Sequence, residues 1–297
     1  MCRKHLAWAT VLGVALLATQ AGSAAGEDAR HAVRGMVMKV ASSRKSLVVS
    51  HDRIPGLMEA MTMSFDVGEA SELAGIEPGM TVEFTLVVGR ESARAEQVQI
   101  RRYETVEQDP LTARRLKLLK DLAGPPRSGA KPLAVGQAVP DFTLTDQAQR
   151  PVTLSALRGR LVAVNFVYTN CTQPQFCLRT ANNFGALQKR FGDRLGRDLV
   201  LLTVTFDPVR DGPERLAQYA TQWASPSKGW RFLTGAVPDI QRVCDMFGVD
   251  FFPDEGLISH SSRTALIDRR GYLVTNIEGN QFTASQLGDL IDAVLSR

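Results

Sequence analysis

Two groups of side chains in this 297-residue chain have the types and spacing to do chemistry. The first is Cys171 and Cys177, at the ends of Cys171-Thr172-Gln173-Pro174-Gln175-Phe176-Cys177. Thiolate is both the form of cysteine that attacks a disulfide and the form that binds metal. The pair therefore admits three roles: a structural disulfide, a redox couple or a soft-metal site. The second group is built on methionine. Met36, Met38, Met58, Met61 and Met63, five of the eight methionines, fall within 28 residues. Met61-Thr62-Met63 sets two thioethers on one face of an extended strand, because strand side chains alternate. His51, ten residues earlier, can be returned to that face by a short loop. Thioethers with one imidazole prefer Cu(I) to hard divalent ions. Met36 and Met38 also share a strand face and read as core filler.

Cys171 follows an almost continuous apolar run over 161–168. Such a run is the pattern of a strand buried on both faces. A helix is predicted over 178–191. A cysteine between strand and helix gains from the unpaired N–H groups of the helix start, which favour thiolate. Five residues between the cysteines exceed the two of thioredoxin-type sites, so the loop must fold back, and Pro174 restricts it. Further on, the pattern predicts a buried strand at 198–205, a helix from 211 to about 223, a strand at 232–234 and a helix at 237–246. Strands at 263–267 and 271–275 flank a turn. Thr283 and Gln286 form a capping-box pattern before a final helix with Leu287, Leu290, Ile291, Val294 and Leu295 at helical spacing. Alternating elements of this kind argue for an α/β sandwich. Cys244 lies within the 237–246 helix and reads as a buried apolar residue. Upstream, short strands at 34–40, 46–50, 61–65, 81–88 and 96–101 predict a small closed barrel. Asp109-Pro110 opens a basic helix over 111–123, Gly124-Pro125-Pro126 stops it, and 124–136 reads as a linker.

Composition narrows the classes. At 44% hydrophobic and 22% charged, the chain is neither collagen-like nor largely disordered. Its formal net charge is +4, and Arg3 and Lys4 in the acid-free first 25 residues supply two of those charges. That is no case for a nucleic-acid partner. Arg3-Lys4, an apolar run over 6–18 and small residues at 21–25 have the order of a secretory signal peptide, assigned to 1–25. The run is short of the ~20 residues a membrane helix needs. No later segment is long and apolar enough, so no stable membrane span is expected after processing. An exported, periplasmic protein is expected. Cys2 would leave with the signal and precedes the apolar run, which is not the placement of a lipoprotein cysteine. Three cysteines remain, an odd number that cannot all pair within the chain.

Residues 137–297 resemble the Sco/SenC family of thioredoxin-like copper proteins. Four segments carry the likeness: Pro140-Asp141-Phe142-Thr143-Leu144-Thr145-Asp146, Asn165-Phe166-Val167-Tyr168-Thr169-Asn170-Cys171, Phe206-Asp207-Pro208-Val209-Arg210-Asp211-Gly212-Pro213 and Ile258-Ser259-His260-Ser261-Ser262-Arg263. The resemblance implies Cys171, Cys177 and His260 as copper ligands, with Asp207 beside the cysteine loop. Two thiolates and an imidazole suit Cu(I) and can also hold Cu(II). One departure stands out. The family pattern has three residues between the cysteines and a proline after each. Here there are five, and Thr172 and Leu178 replace the prolines. The stretch from His51 through Arg53-Ile54-Pro55-Gly56-Leu57-Met58 to Met61-Thr62-Met63-Ser64-Phe65 resembles the CusF-like periplasmic copper-binding domain. That likeness implies an OB-type barrel with His51, Met61 and Met63 as ligands. Met58 stands where the family's metal-covering Trp is expected, as a fourth ligand or an apolar shield. A peroxiredoxin pattern fails, because Tyr168 and Val164 occupy its Thr and Pro positions.

The expected architecture is therefore an α/β thioredoxin-like domain over 137–297 preceded by a small all-β OB-type barrel over 31–103. A basic helix and linker at 104–136 join them. The expected function is a copper metallochaperone that receives copper and passes it to a client. By resemblance that client is the copper site of a cytochrome c oxidase subunit, and a thiol reductant protein is a second partner. Two alternatives stay open: a thiol:disulfide oxidoreductase using Cys171 and Cys177, and a copper-tolerance buffer.

Overall fold

A computed structural model describes residues 28–90, 92–101, 114, 117–118, 131–171, 177–223, 229–254 and 257–296. The expected signal segment, Pro174 and nearly all of the predicted 111–123 helix lie outside the described residues.

Five strands form the first unit: β1 (Ala29–Val40), β2 (Ser46–His51), β3 (Met61–Val67), β4 (Thr81–Val88) and β5 (Ala93–Ile100). They close in the order β1-β2-β3-β5-β4. All pairings are antiparallel except β3 with β5. Alternation decides the lumen: Val82, Phe84 and Leu86 of β4 meet Val33, Val37, Leu47, Val49 and Phe65 in one apolar cluster.

The second unit is a seven-stranded mixed sheet. Its strands are β6 (Thr143–Asp146), β7 (Pro151–Thr153), β8 (Leu161–Val167), β9 (Leu199–Thr205), β10 (Trp230–Thr234), β13 (Arg263–Ile267) and β14 (Leu273–Glu278). Their order is β14-β13-β8-β9-β10-β6-β7, with β8, β9 and β10 mutually parallel. Every residue of β8 and β9 is buried, as their unbroken apolar runs require. The helices are α1 (Arg179–Phe191), α2 (Pro213–Ala220), α3 (Val237–Phe247) and α4 (Ala284–Leu295). Thr283 closes a full capping box with Gln286 at the start of α4.

Several elements differ from the sequence expectation: β6 and β7 have no counterpart in it, and β1 begins at Ala29 where 34 is expected. A separate hairpin, β11 (Phe251–Asp254) and β12 (Leu257–His260), precedes β13. Pro253 disguised it, since proline inside a short run argues against a strand. Helix α2 ends at Ala220, and 221–223 continue as a turn. The last strand runs Leu273–Glu278, because the turn after β13 sets Ile267 opposite Leu273.

The two units share a core. Val33 and Val37 of β1 face the barrel lumen, whereas Met36 and Met38 on its outer face belong to the apolar cluster of the second unit. The filler role read from the sequence is thus played in the neighbouring domain's core. Helix α4 packs on β1 and β2. Gly79 lies so close to β14 that a Cβ there would stand 2.4 Å from Thr275 Oγ1.

Candidate metal centres

The cysteine centre begins where β8 ends. Tyr168 through Cys171 form the exit turn, and the Cys171 N–H donates to the Tyr168 carbonyl at 3.3 Å. A carboxylate that the sequence reading passed over pins this turn. Asp211, 1% exposed, accepts the Thr169 N–H at 3.0 Å, the Thr169 hydroxyl at 2.6 Å and the Thr205 hydroxyl at 2.6 Å. The signal was present, since Asp211 stands before Gly212-Pro213 where α2 starts. Its hydroxyl partners, Thr205 on β9 and Thr169 on the exit turn, come together only in the fold.

Among the described residues Cys171, Cys177 and Cys244 form no disulfide. Cys177 is buried in the turn entering α1, and Cys171 is partly exposed. The Cys177 thiol is directed at Cys171 and, with burial, this holds it well above the ordinary thiol range. The neighbouring Tyr168 phenol is pushed up to about 12 by burial and then by negative charge at Cys171. Burial, with the neighbouring Asp245 charge adding to it, raises Cys244 on α3.

His260 enters from the unforeseen hairpin, at the end of β12 opposite Phe251. Its ring lies 4.6 Å from the Phe206 ring and 6.0 Å from the Tyr168 ring. Nδ1 sits 3.0 Å from the Ser261 carbonyl, and Nε2 sits 3.9 Å from Cys177 Sγ. Donation from Nδ1–H to that carbonyl leaves the Nε2 lone pair facing sulfur. The trio is gathered around Cys177 but is not a closed cage. Among the described residues no three His, Cys, Asp or Glu side chains converge as a ready-made metal site. Asp207 is 7% exposed and lies 3.3 Å from Arg210 Nε. Burial raises its carboxyl despite that guanidinium.

The barrel centre is set by strand register. His51 stands directly opposite Met61, and Val49 opposite Met63, across β2 and β3. Direct strand pairing, rather than a returning loop, brings imidazole and thioethers to one face. Met61 is 52% exposed, while Met63 and Met58 are half-buried against the barrel core. Met58 is held by a tight turn in which its N–H donates to the Ile54 carbonyl at 3.1 Å. His51 is 1% exposed, with its ring edge-on to Phe65 at 5.7 Å. Nδ1 lies 2.7 Å from the Asp52 carbonyl, and the buried Nε2 has no hydrogen-bond partner among the described residues. A buried acceptor left unmatched costs ~1–3 kcal/mol. A soft cation held by this nitrogen and the Met61 and Met63 sulfurs would satisfy it. Gly35 makes the close approach possible: a Cβ there would lie 2.6 Å from His51 Cα.

The fold defines a class: a small closed barrel followed by a thioredoxin-like unit, each presenting sulfur side chains beside one histidine. The SCO1/SenC family model matches residues 131–296, and the chain belongs to that family. The model of the copper binding periplasmic protein CusF matches residues 30–100. Among relatives, a Stutzerimonas stutzeri protein described as a candidate copper-binding protein is 31% identical over 142 residues, 46% of this chain and 67% of that one. Protein sco1 of Schizosaccharomyces pombe is 26% identical over 158 residues, 50% of this chain and 58% of that one. A solved SCO1/SenC family lipoprotein from Bacillus anthracis str. Ames is similar at 24% identity and TM-score 0.49, covering 56% of this chain and 99% of that one.

Proposed function

We propose that this protein is an exported copper carrier that holds Cu(I) at two sites and passes it to a client. His51, Met61 and Met63 capture the ion in the barrel, and Met58 flanks them. Cys171, Cys177 and His260 hold it in the thioredoxin-like domain once both thiols are reduced. Asp207 belongs to the surroundings of that site. One observation carries the reading: both histidines lock Nδ1 onto the carbonyl of the next residue and leave Nε2 to a sulfur-rich face. Fixing the tautomer in this way raises the basicity of the free nitrogen. By family likeness the client is a cytochrome c oxidase copper site, and a thiol reductant keeps the cysteines competent. The CusF-like barrel and the signal-like N-terminus favour the periplasm, and among the described residues no helix is long and apolar enough to cross a membrane.

Anaerobic Cu(I) titration of the reduced full chain against a competing chelator tests this. Two ions per chain are expected, with one remaining in C171S/C177S and one in M61L/M63L. Loss of only a fraction of an ion in either variant would defeat the two-site reading.

A second reading has its own observation. A partly exposed thiol beside a buried one is the arrangement of an attacking and a resolving cysteine. Cys171 would attack a client disulfide, Cys177 would displace the client thiolate, and the pair would end oxidised as the client is reduced. Undiminished disulfide reduction by H260A together with normal client metallation would favour that reading. A copper-tolerance buffer is indicated instead if cells lacking the protein assemble their oxidase normally but become copper-sensitive.

A further inference from the structure

The thioredoxin-like domain reaches into the back of the barrel's copper face. Ser50 and Thr62 are a directly opposed cross-strand pair, one position from His51 and between Met61 and Met63. Side-chain alternation turns both hydroxyls away from the ligand face. Both donate to the same oxygen of Asp289 on α4: Ser50 Oγ at 2.7 Å and Thr62 Oγ1 at 2.8 Å from Oδ2. One turn earlier on α4, Gln286 uses its carbonyl in the capping box. Its amide reaches Asp52 Oδ1 at 3.1 Å and the Ser50 carbonyl at 3.4 Å. The residues on both sides of His51, and the residue between the two methionines, are thus held by one helix of the other domain. Asp289 is itself anchored, with its second oxygen 2.6 Å from Arg190 Nη2 on α1.

We infer that Asp289 is a positioning residue for the barrel's Cu(I) site, stapling β2 to β3 directly behind the His51–Met61 pair. A soft three-donor site tolerates little slack between its strands. A register or spacing error of one strand would separate the imidazole from both thioethers. The barrel then binds copper at full strength only when docked on α4. This inference rests on the barrel copper reading above.

The test uses the full chain in a C171S/C177S background, so that only the barrel site reports, with Cu(I) titrated against a chelator. D289A is expected to weaken binding about tenfold, the lower end for loss of an outer-sphere partner. D289N keeps one oxygen able to accept both hydroxyls and is expected to retain the parent affinity, although its amide opposes Arg190. S50A/T62V approaches the staple from the barrel side and is expected to reproduce the D289A loss. Adding D289A to S50A/T62V should then cost nothing more. Parent affinity in D289A, or equal weakening in D289N and D289A, would overturn the inference. A background chain that binds no Cu(I) would instead overturn the barrel reading itself, and the inference with it.

Discussion

At the residue scale, the chemistry depends on how few hydrogen bonds each donor is allowed. His51 and His260 each surrender one nitrogen to a neighbouring carbonyl, and that fixes which nitrogen stays available. Asp211 does comparable work for Cys171 by holding Thr169 through backbone and side chain. D211A should strand a buried hydroxyl and a backbone N–H, costing about 2–3 kcal/mol of stability. It should also weaken copper at the cysteine centre about tenfold while leaving the barrel site alone. Thermal unfolding and site-resolved Cu(I) titration check both halves. The ligand types could be read from the chain because sulfur and imidazole in these patterns have few uses. Asp211 could not, because nothing in a sequence reports that Thr169 and Thr205 will lie on either side of one carboxylate.

At the element scale, β11 and β12 matter most, since they carry His260 to Cys177. Their short length and Pro253 hid them, and only the long apolar strands and the capped final helix were plain from periodicity. The barrel strands were legible for a related reason, as 82, 84 and 86 alternate into one lumen. Register was not legible, although it decides that His51 faces Met61. Gly35 exposes that dependence to experiment. In G35A the new methyl would meet the Ser50 carbonyl and His51 Cα at about 2.5 Å. Strands β1 and β2 must part there, so the barrel is expected to lose Cu(I) affinity more steeply than it loses stability. Chelator competition and denaturant unfolding on the same variant separate the two.

At the scale of the whole molecule, docking is guarded by a charge network. Burial works to raise the Asp289 carboxyl, but the Ser50 hydroxyl, the Arg190 guanidinium and the Thr62 hydroxyl prevail and hold it below the ordinary range. Asp292 shares Arg190, and Arg194 pairs with Asp292. A carboxyl depressed by folding stabilises the docked form above its ordinary value of ~3.9 and ceases to do so as pH falls through the depressed one. Domain docking should therefore survive at mildly acidic pH and open only in stronger acid. Small-angle scattering across an acid series would reveal the opening as an increase in radius of gyration, with a shallower pH dependence in D289N, which cannot titrate at this position.

Met36 and Met38 carry a consequence for anyone who cuts this chain in two. Their side chains are 0% and 1% exposed only because the other half covers them. A barrel expressed by itself would offer a greasy stripe to solvent, and the remaining half would keep an uncovered hollow. The excised barrel is expected to self-associate in sedimentation experiments, and affinities measured on either fragment would describe molecules that the intact polypeptide never contains.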